Sequence, residues 1–380
     1  MSEHSPAVVD EAIARVHGDA QRFVEGGPVV TRVLSVATRP FSYVARVESG
    51  LSAATAGAPN AAAALGWPAG APNAAAALGW PRRVIVKIPR LKPGKADGRV
   101  PRLKLEIAAA KALAFTLKGE AELSVPDVVA FYPEIPALVW REVAGDTLEA
   151  LAARHARGIP GAAGLARLER ALHSAGRWLR VLQDGTEVEG REFSLSEMID
   201  YVDVRLKRIS ELGPPGLDAA WRARVRRVFN EARLTPADLR LTAVHGDFSL
   251  SNIMYDGCRV VAIDFSRFGV GSIHYDVTRI YHQLGLLQHK PWFLPTTVSR
   301  LRRALLNGYD PGLSADRPAF RLFLIQHLLC HWLGLLKTPH RAPWRVRGFN
   351  RWVGYCHRRE LESLVAGLQD DSRRRGRPTT

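Results

Sequence analysis

The chain is short of cysteine, short of acids relative to bases, and without a long uninterrupted apolar run. Its three cysteines, Cys258, Cys330 and Cys356, are widely spaced and form no Cys-x-x-Cys pair. That argues against a disulfide framework and points to a reducing compartment. No apolar run is long enough to cross a bilayer, and the alanine-rich region near residue 60 is broken repeatedly by Pro, Gly and Asn. The opening residues MSEHSPAVVDEAIARVHGDAQ carry acids and no apolar segment of a secretory signal, so a cytoplasmic protein is expected. Acids number 37 against 53 Lys and Arg, giving a net charge of +16. Such a balance favours anionic partners, with nucleotide, phosphorylated glycan, nucleic acid and acidic lipid all compatible at this level.

What is present starts with length: 380 residues suffice for a substantial core and suggest about two domains. The most informative stretch runs from Leu241 to Leu284. His245-Gly246-Asp247 follows a short apolar run, and Asn252 comes five residues after the aspartate, so a carboxylate and an amide hang from opposite ends of one tight loop. A second apolar run, Val260-Val261-Ala262-Ile263, delivers Asp264 where a strand should end. This is the layout of a kinase catalytic loop followed by a metal-binding aspartate. Two oxygen ligands from separate loops, Asn252 and Asp264, suit Mg2+, which leaves its other positions to water and phosphates. Asp247 then accepts the proton of an attacking hydroxyl. Taken singly, each motif has a bland reading: His-Gly-Asp is a common turn, Asp256-Gly257 signals a hairpin, and an Asp closing a strand often only caps a helix.

Together, HGDFSLSN, IDF and the downstream Asp276 resemble the aminoglycoside phosphotransferase and choline kinase family of small-molecule kinases. The resemblance implies an α+β, two-lobed protein-kinase-like fold, with a small β-rich N-lobe and a larger, mostly helical C-lobe. It implies ATP, or GTP, as phosphoryl donor. On the family pattern Asp276 braces the catalytic loop together with His245, and Gly271 stands at the family's glycine. Ser272-Ile273 replaces the usual Asp-Pro, which puts the local turn in question. Lys87, in the strand RVIVKI, is on this pattern the lysine that grips the α- and β-phosphates, with Glu106 of the following helix as its partner. Backbone groups from Arg141 to Val143 would meet the adenine. A solvent-facing Lys87 and a Glu106 paired with Lys104 or Lys111 are the structural alternatives.

The remaining chain fits four regions. Residues 1–28 hold an N-terminal helix over 8–25; 29–143 form the nucleotide-binding lobe; 144–367 form the catalytic and acceptor-binding lobe; 368–380, rich in Arg, should be disordered. Two strands are expected from Val29 to Ser49, but the loop between them lacks the usual phosphate-binding glycines; Ser35, Thr38 and Ser42 could replace them in part, or the segment is a plain hairpin. GAPNAAAALGWP at 57–68 recurs letter for letter at 70–81, a tandem duplication in a loop, and not a repeat fold. An interaction loop presenting Trp67 and Trp80 is the functional alternative. A helix is expected over 103–118, and Asp146 with Glu149 should cap the first helix of the large lobe. Further helices are expected over 165–182, 194–212, 218–233, 296–307, 316–336 and 344–366. His327 and His331 stand one helical turn apart at a zinc-compatible spacing, yet their Leu neighbours favour a packed helix.

The reaction expected is transfer of the γ-phosphate to a hydroxyl of a small molecule. From Val277 to Thr380 there are 18 Lys and Arg against 6 Asp and Glu. A polycationic aminoglycoside needs clustered carboxylates, so a neutral or anionic acceptor such as a sugar-like alcohol fits better. No specific nucleic-acid partner is expected. A catalytically silent nucleotide-binding scaffold and a protein kinase are the alternatives; the missing glycine loop favours the first, and the lack of an Ala-Pro-Glu signature opposes the second.

Overall fold

The computed structural model describes residues 7–23, 28–39, 41–51, 80–91, 97–214, 216–339 and 341–375. The chain divides into two compact units: one holds residues up to Ala114 together with Val125–Ala144, and the other holds Phe115–Ser124 with Gly145 onward.

The first unit is built on an antiparallel five-stranded sheet in the order β1-β2-β3-β6-β5. Its strands are β1 (Val29–Thr38), β2 (Ser42–Leu51), β3 (Arg83–Pro89), β5 (Val128–Tyr132) and β6 (Ala137–Arg141). Helix α1 (Ala7–Phe23) buries Val9, Ala12, Val16 and Ala20, a stripe spaced three and four apart, against Val47, Val84, Val86 and Ile88 of the sheet. Helix α1 therefore shares the core of this unit. Trp80, from the second copy of the duplication, is only 4% exposed and belongs to the same core. It is not presented to a partner, because an indole of this size stabilises far more by burial than by exposure. Apart from the adjoining Pro81, the rest of the duplication, Trp67 included, lies outside the described residues. The β1–β2 connection closes as a hairpin, with Arg39 N–H donating to Ser42 O at 2.8 Å. Helix α2 (Arg99–Thr116) begins in this unit four residues before the expected Leu103.

The second unit carries a four-stranded sheet, β4-β10-β9-β7, and a two-stranded ladder, β11-β8. These strands are β4 (Leu123–Ser124), β7 (Asp146–Thr147), β8 (Leu241–Val244), β9 (Ile253–Tyr255), β10 (Val260–Ala262) and β11 (Gly269–Ser272). Helices α3 (Leu148–His155), α4 (Ala162–Asp184), α5 (Leu195–Leu212), α6 (Ala219–Glu231), α7 (Tyr275–Leu287), α8 (Pro295–Tyr309), α9 (Pro318–Leu336) and α10 (Trp344–Arg375) make up its bulk. The cap of α3 is Thr147, whose side chain accepts from Ala150 N–H at 3.1 Å, and not Asp146. Asp146 is held in the β7–β9 ladder and its carboxylate pairs with Arg154. Helices α4 and α8 approach so closely at Gly308 that a Cβ there would lie 1.9 Å from His173 O.

Helix α9 is long and apolar enough to cross a membrane by length and composition. In this fold most of it is buried against protein, within a core that also takes side chains from α5, α6 and α10. Arg321, Gln326, His327 and His331 interrupt its apolar run. Helix α10 runs to Arg375, so residues 368–375 are helical and correct the expectation of a disordered tail from 368. Leu368 is buried in the core and Asp371 pairs with Arg321 at 3.0 Å, which anchors turns whose composition alone suggests disorder. Residues 376–380 lie outside the described residues.

Candidate active site

In the larger unit the His-Gly-Asp turn leaves β8 and is held by one carboxylate. Asp276, in the first turn of α7 and fully buried, accepts from His245 N–H at 2.6 Å and from Gly246 N–H at 3.1 Å. Burial pushes its acid up to about 6, against the opposing pull of these backbone donors. Gly246 has φ +75°, and a Cβ there would lie 2.2 Å from Arg267 O, so the turn can be made only by glycine. His245 is buried among Trp178, Phe248 and Phe265. Its Nε2 meets Ile263 O at 3.1 Å, and its Nδ1 accepts from Asp247 N–H at 3.3 Å. Those two contacts assign a neutral ring with hydrogen on Nε2, consistent with burial holding its pKa down at about 4. His245 thus ties the loop bearing Asp247 to the strand end bearing Asp264.

Asn252 donates its side-chain amide to Asp247 O at 3.0 Å, and its own carbonyl accepts from Ile263 N–H at 2.9 Å. With the nitrogen committed, the amide oxygen is the atom available to a cation. Register fixes the neighbour: Ile253 pairs with Ala262 and Asn252 meets Ile263, so Asn252 and Asp264 lie at the same end of the β9–β10 ladder. Asp264 has φ +67° and is the one non-glycine residue with positive φ among the described residues. Asp tolerates this conformation better than a branched or bulky residue does. An amide oxygen and a carboxylate on adjacent strand ends form a hard-oxygen set that fits Mg2+. Asp256, by contrast, is a turn former, accepting from Cys258 and Arg259 N–H at 3.0 and 2.7 Å.

Arg279, one turn after Asp276 on α7, was not singled out by its sequence context. Its Nη2 donates to Asp247 Oδ1. The available signal was the i, i+3 spacing from Asp276, which places both side chains on the face of α7 that meets the loop. The unusual Ser272-Ile273 turn is closed by the Ser272 hydroxyl, which accepts from His274 N–H at 3.2 Å much as an aspartate would.

In the smaller unit Lys87 Nζ donates to both carboxylate oxygens of Glu106, at 2.8 and 3.0 Å. Glu106 is 1% and Lys87 14% exposed by side chain. Arg141 donates its backbone N–H to Asp127 O at 2.9 Å and its guanidinium to the Asp127 carboxylate at 3.0 Å. The Arg141 backbone N–H is thus spent, and Val143, the other backbone position expected to meet a nucleobase, is half-buried. Glu142, between them, pairs with Arg46 at 2.6 Å.

A profile of the phosphotransferase enzyme family matches residues 67–323. A choline/ethanolamine kinase family protein from Mesorhizobium loti superposes with a TM-score of 0.52 at 17% identity, covering 95% of this chain and 99% of its own. Choline kinase from Cryptosporidium parvum Iowa II gives a TM-score of 0.52 at 10% identity, covering 93% and 97%. Comparison with curated protein sequences gave no match. The structural likeness shows a kinase-like α+β fold, and because the profile spans most of the sequence, from the small sheet through the His-Gly-Asp loop to α9, the chain belongs to the phosphotransferase enzyme family and is a small-molecule phosphotransferase.

Proposed function

We propose that this protein transfers the γ-phosphate of ATP, bound with Mg2+, to a hydroxyl of a neutral or anionic small molecule such as a sugar-like alcohol. Asp247 orients the acceptor hydroxyl and takes its proton. The fixed loop supports this role, because Asp276, His245 and Asn252 together determine where the Asp247 backbone lies. Asn252 and Asp264 would hold Mg2+, which supplies positive charge to the phosphate oxygens. Lys87, secured by Glu106, adds a cation for the α- and β-phosphates, and Val143 offers its backbone to the base. The acceptor class rests on one observation: Arg279 places a guanidinium directly on the carboxylate assigned to the hydroxyl. A guanidinium paired there offsets the negative charge that a polycationic aminoglycoside would seek, which favours a neutral or anionic alcohol. Three free thiols and ATP use suit the cytoplasm.

The test is a metabolite screen for acceptor-dependent ADP release, with the Asp247→Asn protein as the blank. Release with a neutral or anionic alcohol, absent in the blank, is the expected result. Turnover confined to aminoglycosides would overturn the acceptor class, and equal turnover by the blank would remove Asp247 from its role.

A further inference from the structure

Away from the Asp247 loop, the larger unit gathers histidines from three helices. His282 of α7, His331 of α9 and His357 of α10 each offer a ring nitrogen within 4.8 Å of the other two. Their ring centroids stand 5.0 to 5.9 Å apart. His331 Nδ1 and His357 Nε2 are 2.7 Å apart and share one hydrogen. That hydrogen bond uses one nitrogen of each ring. Within this buried cluster, His282 Nε2 and His357 Nδ1 have no hydrogen-bond partner, although His282 is 4% and His357 0% exposed. Unsatisfied buried nitrogens are costly, and His282 Nε2, on a ring that converges with the other two, calls for an explanation. Burial keeps all three rings neutral, the form in which imidazole binds metal.

We propose that His282, His331 and His357 form a binding site for a divalent transition metal, Zn2+, that staples α7, α9 and α10. Three imidazoles suit zinc, with water in the fourth tetrahedral position. Binding requires the His331–His357 nitrogens to part from 2.7 Å to about 3.3 Å, the span set by zinc–nitrogen bonds of about 2.0 Å. The shared hydrogen moves to the other nitrogen of its own ring, so each ligand stays neutral and no proton is lost. For His357 that other nitrogen is Nδ1, which faces Glu360 Oε2 at 4.0 Å. At that separation the carboxylate is a charged neighbour and not a hydrogen-bond partner; closing the gap on metal binding would let it accept from Nδ1 and fix the tautomer. His331 is only partly buried, which gives the ion a way in. His327, its neighbour one turn earlier, is outside the cluster; its Nε2 meets Tyr275 O at 3.0 Å.

The full-length, tag-free protein, stripped of metal and free of nucleotide, is titrated with Zn2+ against a chromophoric chelator. One equivalent should bind, at least tenfold more weakly to His331→Gln and His357→Gln, and Co2+ should give the intense visible bands of a tetrahedral site. Circular dichroism of the metal-free variants checks that they fold, and the Co2+ spectrum of the wild type decides the matter if they do not. Absence of stoichiometric binding, weak octahedral Co2+ bands, or affinity lost in Asp264→Asn but kept in His331→Gln would each overturn the site.

Discussion

Arg279 Nη2 donates to Asp247 Oδ1, so one oxygen of the carboxylate on the His-Gly-Asp loop is held by a cation from α7. In the proposed function the other oxygen is the one that meets the acceptor hydroxyl. On that proposal the guanidinium would both aim the carboxylate and offset its charge.

Replacing Arg279 by Met should lower kcat/KM for an anionic acceptor about 10–100-fold, the size of one or two charge-assisted hydrogen bonds. Affinity for nucleotide should change by less than a few-fold. Arg279→Lys should recover part of the loss, since it restores charge but not the planar fork. Steady-state kinetics with both substrates varied checks this, and an unchanged acceptor kcat/KM would remove Arg279 from the site.

The two aspartates should separate cleanly. Asp264→Asn removes the carboxylate proposed to hold Mg2+, so Mg–ATP affinity and transfer should fall together. Asparagine also tolerates the φ of +67°, which keeps the backbone comparable. Asp247→Asn should hold Mg–ATP within a few-fold and lower the transfer rate about 10²–10⁴-fold, as expected for loss of a positioned base. Nucleotide binding by calorimetry and single-turnover transfer distinguish them. Equal loss of nucleotide in both variants would contradict the assignment.

Lys87 and Glu106 test structure against catalysis. Lys87→Met takes the ammonium from a carboxylate that is 1% exposed, which should cost about 3 kcal/mol of stability, the low end for a broken buried pair. The double change Lys87→Met with Glu106→Leu should recover most of that stability while transfer stays lost. Denaturant unfolding and ADP release provide the two readouts. Recovery of both would mean that the lysine serves only the fold.

Much of this was legible because the signals are local. His245, Gly246, Asp247, Asn252 and Asp264 are close in sequence, and the β8, β9 and β10 runs that carry them are apolar and short. The N-terminal helix expected over 8–25 was readable for the same reason. Arg279 was hidden because nothing in YDVTRIY distinguishes a surface arginine from one that reaches another loop. The cap of α3 was misread because Asp146 is claimed by a β7–β9 pairing more than a hundred residues away in sequence. Helix α10 outran its expected end because Asp371 and Leu368 have tertiary partners that composition cannot reveal. The histidine cluster needed three helices to meet, and only the His327–His331 spacing hinted at one member.

Acid should destabilise the protein through buried histidines. Burial lowers the folded pKa of His327 from 6.5 to about 3. Between these values the unfolded chain binds a proton that the folded chain does not, so stability falls as pH falls through this window. One such group contributes a slope of about 1.4 kcal/mol per pH unit. His327→Gln should reduce the slope between pH 6 and 4 by about that amount, even if it lowers stability at pH 7. Urea unfolding at several pH values measures it, and an unchanged slope would show that His327 is already protonated in the fold.

The duplication gives the last test. Deleting residues 57–69, or Ala69 with the second copy, yields the same sequence, and each leaves one tryptophan followed by proline before Arg82. The retained tryptophan can fill the place that Trp80 occupies in the smaller unit's core. Loop-closure cost changes by about 0.6 kcal/mol per doubling of length, so the deletion should leave stability nearly unchanged. Trp80→Ala in the full chain should instead cost about 3–5 kcal/mol, as for other large core aromatics, unless Trp67 moves into the vacancy. Combining Trp67→Ala with Trp80→Ala removes that escape. Thermal unfolding of the deletion, the single change and the double change resolves them. A deletion that melts as early as the double variant would show that the first copy carries part of the core; a double variant as stable as wild type would show that the buried tryptophan contributes nothing.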